Sequence, residues 1–225
     1  MVKSLKANKT RVFSVRRNIK VAMTFDDAIL PLHYKVAYEL HRLAIPATFY
    51  VVTHKNPWST YLKYAKKISD MKHEIASHGA YPLDLTKVSD EKLLFEIGES
   101  KRTLEEVAGR DIIGFAYPYG LYNSRVISAV SKFYEYGRTI YLRFVKTCDS
   151  VNAAENERYS ICGLCNPSPR PTFEIIRKML SDRDNELAIV WVFHFEPLWK
   201  VLTVVKVFKS LGAEFMRVKD LVDER

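Results

Sequence analysis

Glycine is scarce, with 8 in 225 residues, which argues against flexible linkers and glycine-rich phosphate loops. No apolar run reaches the roughly 18 residues that a bilayer-spanning helix needs. The first residues lack the apolar core of a secretion signal, so the chain reads as cytoplasmic. There are three cysteines, Cys148, Cys162 and Cys165. The last two have C-x-x-C spacing, which suits zinc, a redox pair or a local disulfide. No second C-x-x-C and no H-x-x-x-H exists to complete a zinc site. The proline-rich stretch 166–171 reads as loop rather than as the helix a redox pair would open. A structural role or a disulfide is therefore expected for Cys162 and Cys165. Internal repeats and low-complexity segments are absent.

Acidic residues are missing from residues 1–20, which hold seven basic ones and leave +2 of the net charge of +9 to the rest. The basicity is thus a property of an N-terminal arm, residues 1–18, read as solvated. No interleaved aromatics accompany it, which argues against a nucleic-acid partner. Residues 19–225 form one domain, large enough to bury a full core.

Strand-like and helix-like segments alternate along that domain. Strands are expected at 19–25, 47–52, 73–77, 112–117, 139–144, 158–161, 187–195 and 214–218. Helices are expected at 34–44, 58–71, from Ser89 through Val107, at 124–133, 172–181 and 198–211. Repeated strand–helix units mean a parallel sheet, and seven or eight of them favour a closed barrel.

The unusual polar residues fall at the C-terminal ends of these strands. Asp26 and Asp27 end the first, His54 follows the second and His78 the third. Tyr117-Pro118-Tyr119-Gly120 follows the fourth, and His194 ends the late strand. Burying two adjacent carboxylates is costly unless a metal, a proton or a substrate compensates. In a parallel barrel these strand ends share one mouth. An aspartate and a histidine there can hold a divalent metal, a second aspartate can take a proton from water, and a histidine can protonate a leaving amine. A backbone N–H in the tight turn can hold a developing oxyanion. Such a mouth suits metal-assisted hydrolysis of an amide or ester.

Four segments carry a family resemblance, in order, from about residue 19 to the C-terminus. They are Thr24-Phe25-Asp26-Asp27-Ala28, the stretch from His73 to His78, Phe115-Ala116-Tyr117-Pro118-Tyr119-Gly120, and Val192-Phe193-His194. Together they resemble the polysaccharide deacetylases, the NodB-like carbohydrate esterases of family 4. The resemblance implies a distorted (β/α)7 barrel. It implies Asp26 as general base, His194 as general acid and the Tyr119 amide at the oxyanion. Asp27 and His78 would be metal ligands, the metal being zinc or a similar divalent ion. Tyr117, Pro118 and Tyr122 would line the substrate site. The reaction would remove an acetyl group from an amino sugar or polysaccharide.

Ala28 replaces a glycine of the family's first motif, and the chain departs from the family at three further places. Pro82 or Tyr81 stands where the second motif has its second histidine, so one of three usual ligands is missing. Asp84 and His54 are the nearby groups that could compensate. Ala116 stands where many members carry an arginine that orients the base. The motif that supplies an aspartate partner for the acid is unclear, with Asp149 the nearest candidate. Two alternatives to an active deacetylase follow: an impaired carbohydrate-binding relative, and a related hydrolase of a small amide.

Overall fold

The structure, a computed structural model, describes residues 18–28, 30–54, 58–141, 157–165 and 186–224. The basic arm, Cys148, Asp149 and the helix expected at 172–181 lie outside the described residues.

In chain order the elements are β1 (Asn18–Ala28), α1 (Pro31–Arg42), β2 (Thr48–Val51), α2 (Lys63–Asp70), β3 (Glu74–Ser77), α3 (Asp90–Ala108) and β4 (Gly114–Ala116). Then come α4 (Ser124–Val130), β5 (Tyr136–Tyr141), β6 (Ile161–Cys165), β7 (Glu186–Phe193), α5 (Leu198–Ser210), β8 (Glu214–Met216) and α6 (Val218–Asp223). Local chemistry sets several helix ends. Pro31 opens α1 at a position where its missing N–H costs nothing. Ser89 caps α3 by accepting from the Lys92 amide, and Gly109 ends that helix at φ +66°.

Every strand pairing is parallel. The strands run β1–β2–β3–β4–β5–β6–β7 and close back on β1, giving the expected seven-stranded barrel. β1 carries an additional partner. Its Lys20–Ala22 stretch pairs with β8, and further along the same strand Thr24–Ala28 pairs with β2. The ring is therefore closed at the mouth and spread at the opposite end, where β8 enters.

Alternation along β1 divides the core. Ile19, Val21, Met23 and Phe25 belong to the large layer between sheet and helices, with Val36, Leu40, Leu93, Ile97 and Phe208. Ala22 belongs to the barrel interior with Tyr50, Ala76, Ala116 and Tyr136. Small residues there make room for large polar ones. A Cβ at Gly114 would lie 2.2 Å from the Tyr136 ring, and one at Gly163 would lie 3.0 Å from Arg138 Cδ. The spread end holds buried Glu74, which accepts from Thr48 Oγ1 at 2.8 Å, Tyr136 OH at 2.9 Å and the Lys219 amide at 3.2 Å. The start of α6 thereby plugs that end, with the Val218 amide also donating to Thr48 Oγ1 at 2.9 Å.

Some boundaries differ from the sequence reading. β5 begins three residues before the expected 139, because Gly137 and Arg138 interrupt its apolar pattern. Residues Glu157–Tyr159 form a 3-10 turn and β6 starts after it. The helix expected at 58–71 divides into a 3-10 turn and α2, and α6 was not anticipated. Cys162 is disulfide-bonded. Both cysteines of the C-x-x-C lie on β6.

Candidate active site

The period of two along β1 carries Asp26 into the barrel interior beyond Ala22 and Thr24. The next residue breaks the pattern. Asp27 has φ +49°, and the register to β2 shifts between Phe25 and Ala28. This bulge re-aims the chain, so both carboxylates line one cleft of about 270 Å³. A left-handed aspartate is costly and is held only where its surroundings enforce it.

Asp26 is buried against an equally buried cation, Arg138 of β5, whose Nη2 donates to Asp26 Oδ1. Burial pushes the Asp26 carboxyl up, but the charge of Arg138, with smaller help from His78 and His194, holds it below the ordinary aspartate value. The Arg138 guanidinium lies over the Tyr50 ring at 4.6 Å. Tyr50 donates to Tyr136 at 3.3 Å, and Tyr136 in turn donates to Glu74. Asp26 is thus supported by a polar column that runs down the barrel interior.

His78 follows β3 and is buried. Its Nδ1 lies 2.9 Å from the Ala116 carbonyl, so Nδ1 carries the proton and Nε2 keeps its lone pair. Outer-shell bonds of this kind fix metal-binding histidines. His194 follows β7 and is half-buried, with Nε2 3.9 Å from Asp26 Oδ2. Its backbone amide donates to Glu196 Oε2 at 2.6 Å, and its carbonyl accepts from His33 Nε2 at 2.7 Å.

The wall opposite is the turn Pro118–Gly120. Tyr119 and Gly120 both have positive φ, +59° and +69°. The Gly120 amide bonds the Tyr117 carbonyl, the Leu121 amide bonds that of Pro118, and Thr139 Oγ1 donates to the Gly120 carbonyl. The Tyr119 amide takes no part in these bonds of the turn. The Tyr119 hydroxyl donates to the Pro82 carbonyl at 2.9 Å. Pro82 is also held from behind, because buried Glu96 accepts from the Tyr81 amide at 2.6 Å.

The donor set can be tested against a divalent cation. The Asp27 carboxylate and His78 Nε2 suit one, and both line the cleft. Pro82 lines it too, without a ligating side chain. Among the described residues no group of three His, Cys, Asp or Glu gathers around one point. The site fits a cation with two protein ligands and its other positions open.

Residues 15–136 match the polysaccharide deacetylase family, more than half of the chain. The chain belongs to that family. As a polysaccharide deacetylase it is a hydrolase of carbon–nitrogen bonds other than peptide bonds. Comparison with curated proteins finds no match. Solved structures share the fold. The Xyl-CE4 domain of a multidomain xylanase from the hindgut metagenome of Trinervitermes trinervoides superposes with a TM-score of 0.67 at 18% identity, over 92% of this chain and 91% of that one. A CE4 family pseudoenzyme from Bacillus anthracis gives 0.67 at 16% identity, over 93% and 67%. A family 4 acetyl xylan esterase from Clostridium thermocellum, in complex with a cobalt ion, gives 0.65 at 19% identity, over 90% and 89%.

For this deacetylase the structure brings Asp26, Asp27, His78, Tyr117, Pro118, Tyr119 and His194 to one cleft. Tyr117 borders the cleft, but its ring is fully buried in the layer between sheet and helices and its hydroxyl donates to the Tyr159 carbonyl, so it does not present the substrate surface expected from the sequence. Tyr122 is set behind it, stacked on the Tyr117 ring at 5.1 Å. The two compensating candidates do not line the cleft. His54 Nδ1 bonds Thr53 Oγ1 at 2.8 Å, and its Nε2 lies 3.6 Å from Glu99. Asp84 accepts from the amide and hydroxyl of Thr86 in its own loop. Arg138 is the residue that sequence reasoning missed. It is the registered partner of Ala116 across the β4–β5 pair, so the guanidinium that bonds Asp26 comes from the strand next to the one the sequence pointed to.

Proposed function

We propose that the protein removes acetyl groups from an amino sugar or polysaccharide with the help of a divalent metal of the zinc type. The convergence of Asp26, Asp27, His78 and His194 on one cleft carries this reading. When bound at Asp27 and His78, such an ion lowers the pKa of water and polarises the acyl carbonyl. Asp26, kept ionised by Arg138, takes a proton from the attacking water. The Tyr119 amide receives the developing oxyanion. His194, half-exposed on the far side of Asp26, returns a proton to the leaving amine. Pro118 and the exposed Tyr119 shape the wall against which the acetyl-bearing sugar lies.

One observation favours a second reading, the carbohydrate binder with impaired catalysis. Pro82 occupies the cleft where a third metal ligand would stand, which weakens the hold on the ion. Acetate release from triacetylchitotriose and from acetylated xylo-oligosaccharides, with added Zn²⁺ or Co²⁺, separates the two. Metal-dependent release that disappears in Asp27→Ala supports the deacetylase. Retained sugar binding without release supports the binder, and release from a small amide alone would move the substrate class.

No helix among the described residues is long and apolar enough to cross a membrane.

A further inference from the structure

We infer that His33 is a positioning residue for the acid, a clamp that fixes where His194 presents its imidazole. The inference rests on the reading of His194 as the proton donor. His33 lies near the start of α1, the helix that follows the two aspartates, and is 1% exposed. Its two ring nitrogens have different work. Nδ1 accepts from the Leu30 amide at 3.2 Å, at the entry to α1. Nδ1 therefore carries no proton, and Nε2 must carry one to bond the His194 carbonyl at 2.7 Å. Rings close the ring in: Phe25 edge-on at 6.5 Å and Phe195 at 5.9 Å. The imidazole is a rigid strut between helix α1 and the end of β7.

The strut matters because of where His194 lies. β7 ends at Phe193, so His194 is the first residue outside the ladder and draws no support from sheet pairing. Its backbone is held by two side chains, Glu196 at the amide and His33 at the carbonyl. The His33 bond joins residues 161 apart in sequence. It ties the acid to the helix that follows Asp26 and Asp27, and so adds a side-chain bridge where the β1–β7 ladder ends at Phe25 and Phe193. Loss of the bridge displaces the acid relative to the base without removing either group.

The experiment compares His33→Phe with His33→Gln. Phenylalanine keeps the ring packing and deletes both bonds, while glutamine keeps an N–H donor at the reach of Nε2. With triacetylchitotriose and Co²⁺, His33→Phe is expected to lose about 100-fold in kcat, the scale of an ångström-level misplacement, with KM nearly unchanged. His33→Gln is expected to recover most of that loss. The proposal is overturned if His33→Phe keeps kcat near wild type, or if the loss falls on KM. It is also overturned if the two variants fall equally. A long-range proton–nitrogen NMR spectrum of the wild-type protein reads the clamp without turnover and without any variant having to fold. His33 protonated on Nε2 supports the clamp, and His33 protonated on Nδ1 overturns it. Absent turnover in wild type with an Nε2–H tautomer would count against the deacetylase reading and not against the clamp.

Discussion

Replacing Asp26 by asparagine tests the base and also the foundation of the barrel interior. Asp26 and Arg138 have side chains 3% and 0% exposed, so neither charge can fall back on water. Arg138 Nε and Nη1 already lack a hydrogen-bond partner, and the link to Asp26 is the compensation for a buried cation. Asp26→Asn leaves that cation with an amide oxygen at best. Removing one member of such a pair costs about 3–5 kcal/mol. For a chain of this size that corresponds to a fall of roughly 6–20 °C in Tm. Removing both charges with Asp26→Asn plus Arg138→Met should restore much of the loss, because a methionine of similar length leaves no buried charge uncompensated. Urea unfolding of the wild type, both single variants and the double variant measures the coupling. The reasoning fails if Asp26→Asn costs under about 1 kcal/mol, or if the double variant shows the sum of the single losses. The result also governs how an inactive Asp26→Asn should be read. The buried guanidinium makes lost stability part of the phenotype.

Other expectations follow from the same structure. Pro82→His should raise affinity for Zn²⁺ or Co²⁺ by at least about tenfold, seen by calorimetry, and no gain would mean that the loop beside Tyr81 directs its side chain elsewhere. Gly163→Ala should disturb the base, because its Cβ would lie 2.6 Å from Val192 Cγ2 and 3.0 Å from Arg138 Cδ; unaltered stability would refute this. Burial pushes the His73 imidazole down to about 4, so folding favours its neutral form. Its stabilisation is complete above about pH 6.5 and is lost as pH falls towards 4, about 3 kcal/mol in all. His73→Leu should flatten that part of the stability profile in urea titrations. The depressed Asp26 carboxyl acts at lower pH: its contribution is complete above about pH 4 and is lost as pH falls through its folded value.

The barrel was legible because its strands carry their alternation in plain view. Ile19, Val21, Met23 and Phe25 mark one face of β1, and the following aspartates mark its end. The site was legible in the same measure, since Asp26, His78 and His194 stand at strand ends where a parallel barrel converges. Arg138 was not. Gly137 and Arg138 interrupt the apolar run, so the strand was read as starting three residues too late, and the carboxylate that explains Arg138 lies 112 residues away. His33 hid for a similar reason. On a helix it reads as one polar residue among others, and its meaning depends on a carbonyl 161 residues distant. Where charge and hydrogen bonding decide a residue's place, the partner is not in the local pattern, and periodicity cannot find it.

The shared edge of β1 has a consequence for how the molecule comes apart. β1 holds β7 through eight registered positions but holds β2 through three, and these three flank the aspartates. Unzipping this short seam turns the closed ring into an open ribbon and lets the aspartate bulge swing away, while β1–β7 and the helices stay in place. Alternate residues of β2 face β3, with the Val51 carbonyl accepting from the His78 amide, so it is the Tyr50 amide, on the β1 side, that should exchange by a local opening well below the global free energy. In rising denaturant, catalytic competence should disappear before helical signal does.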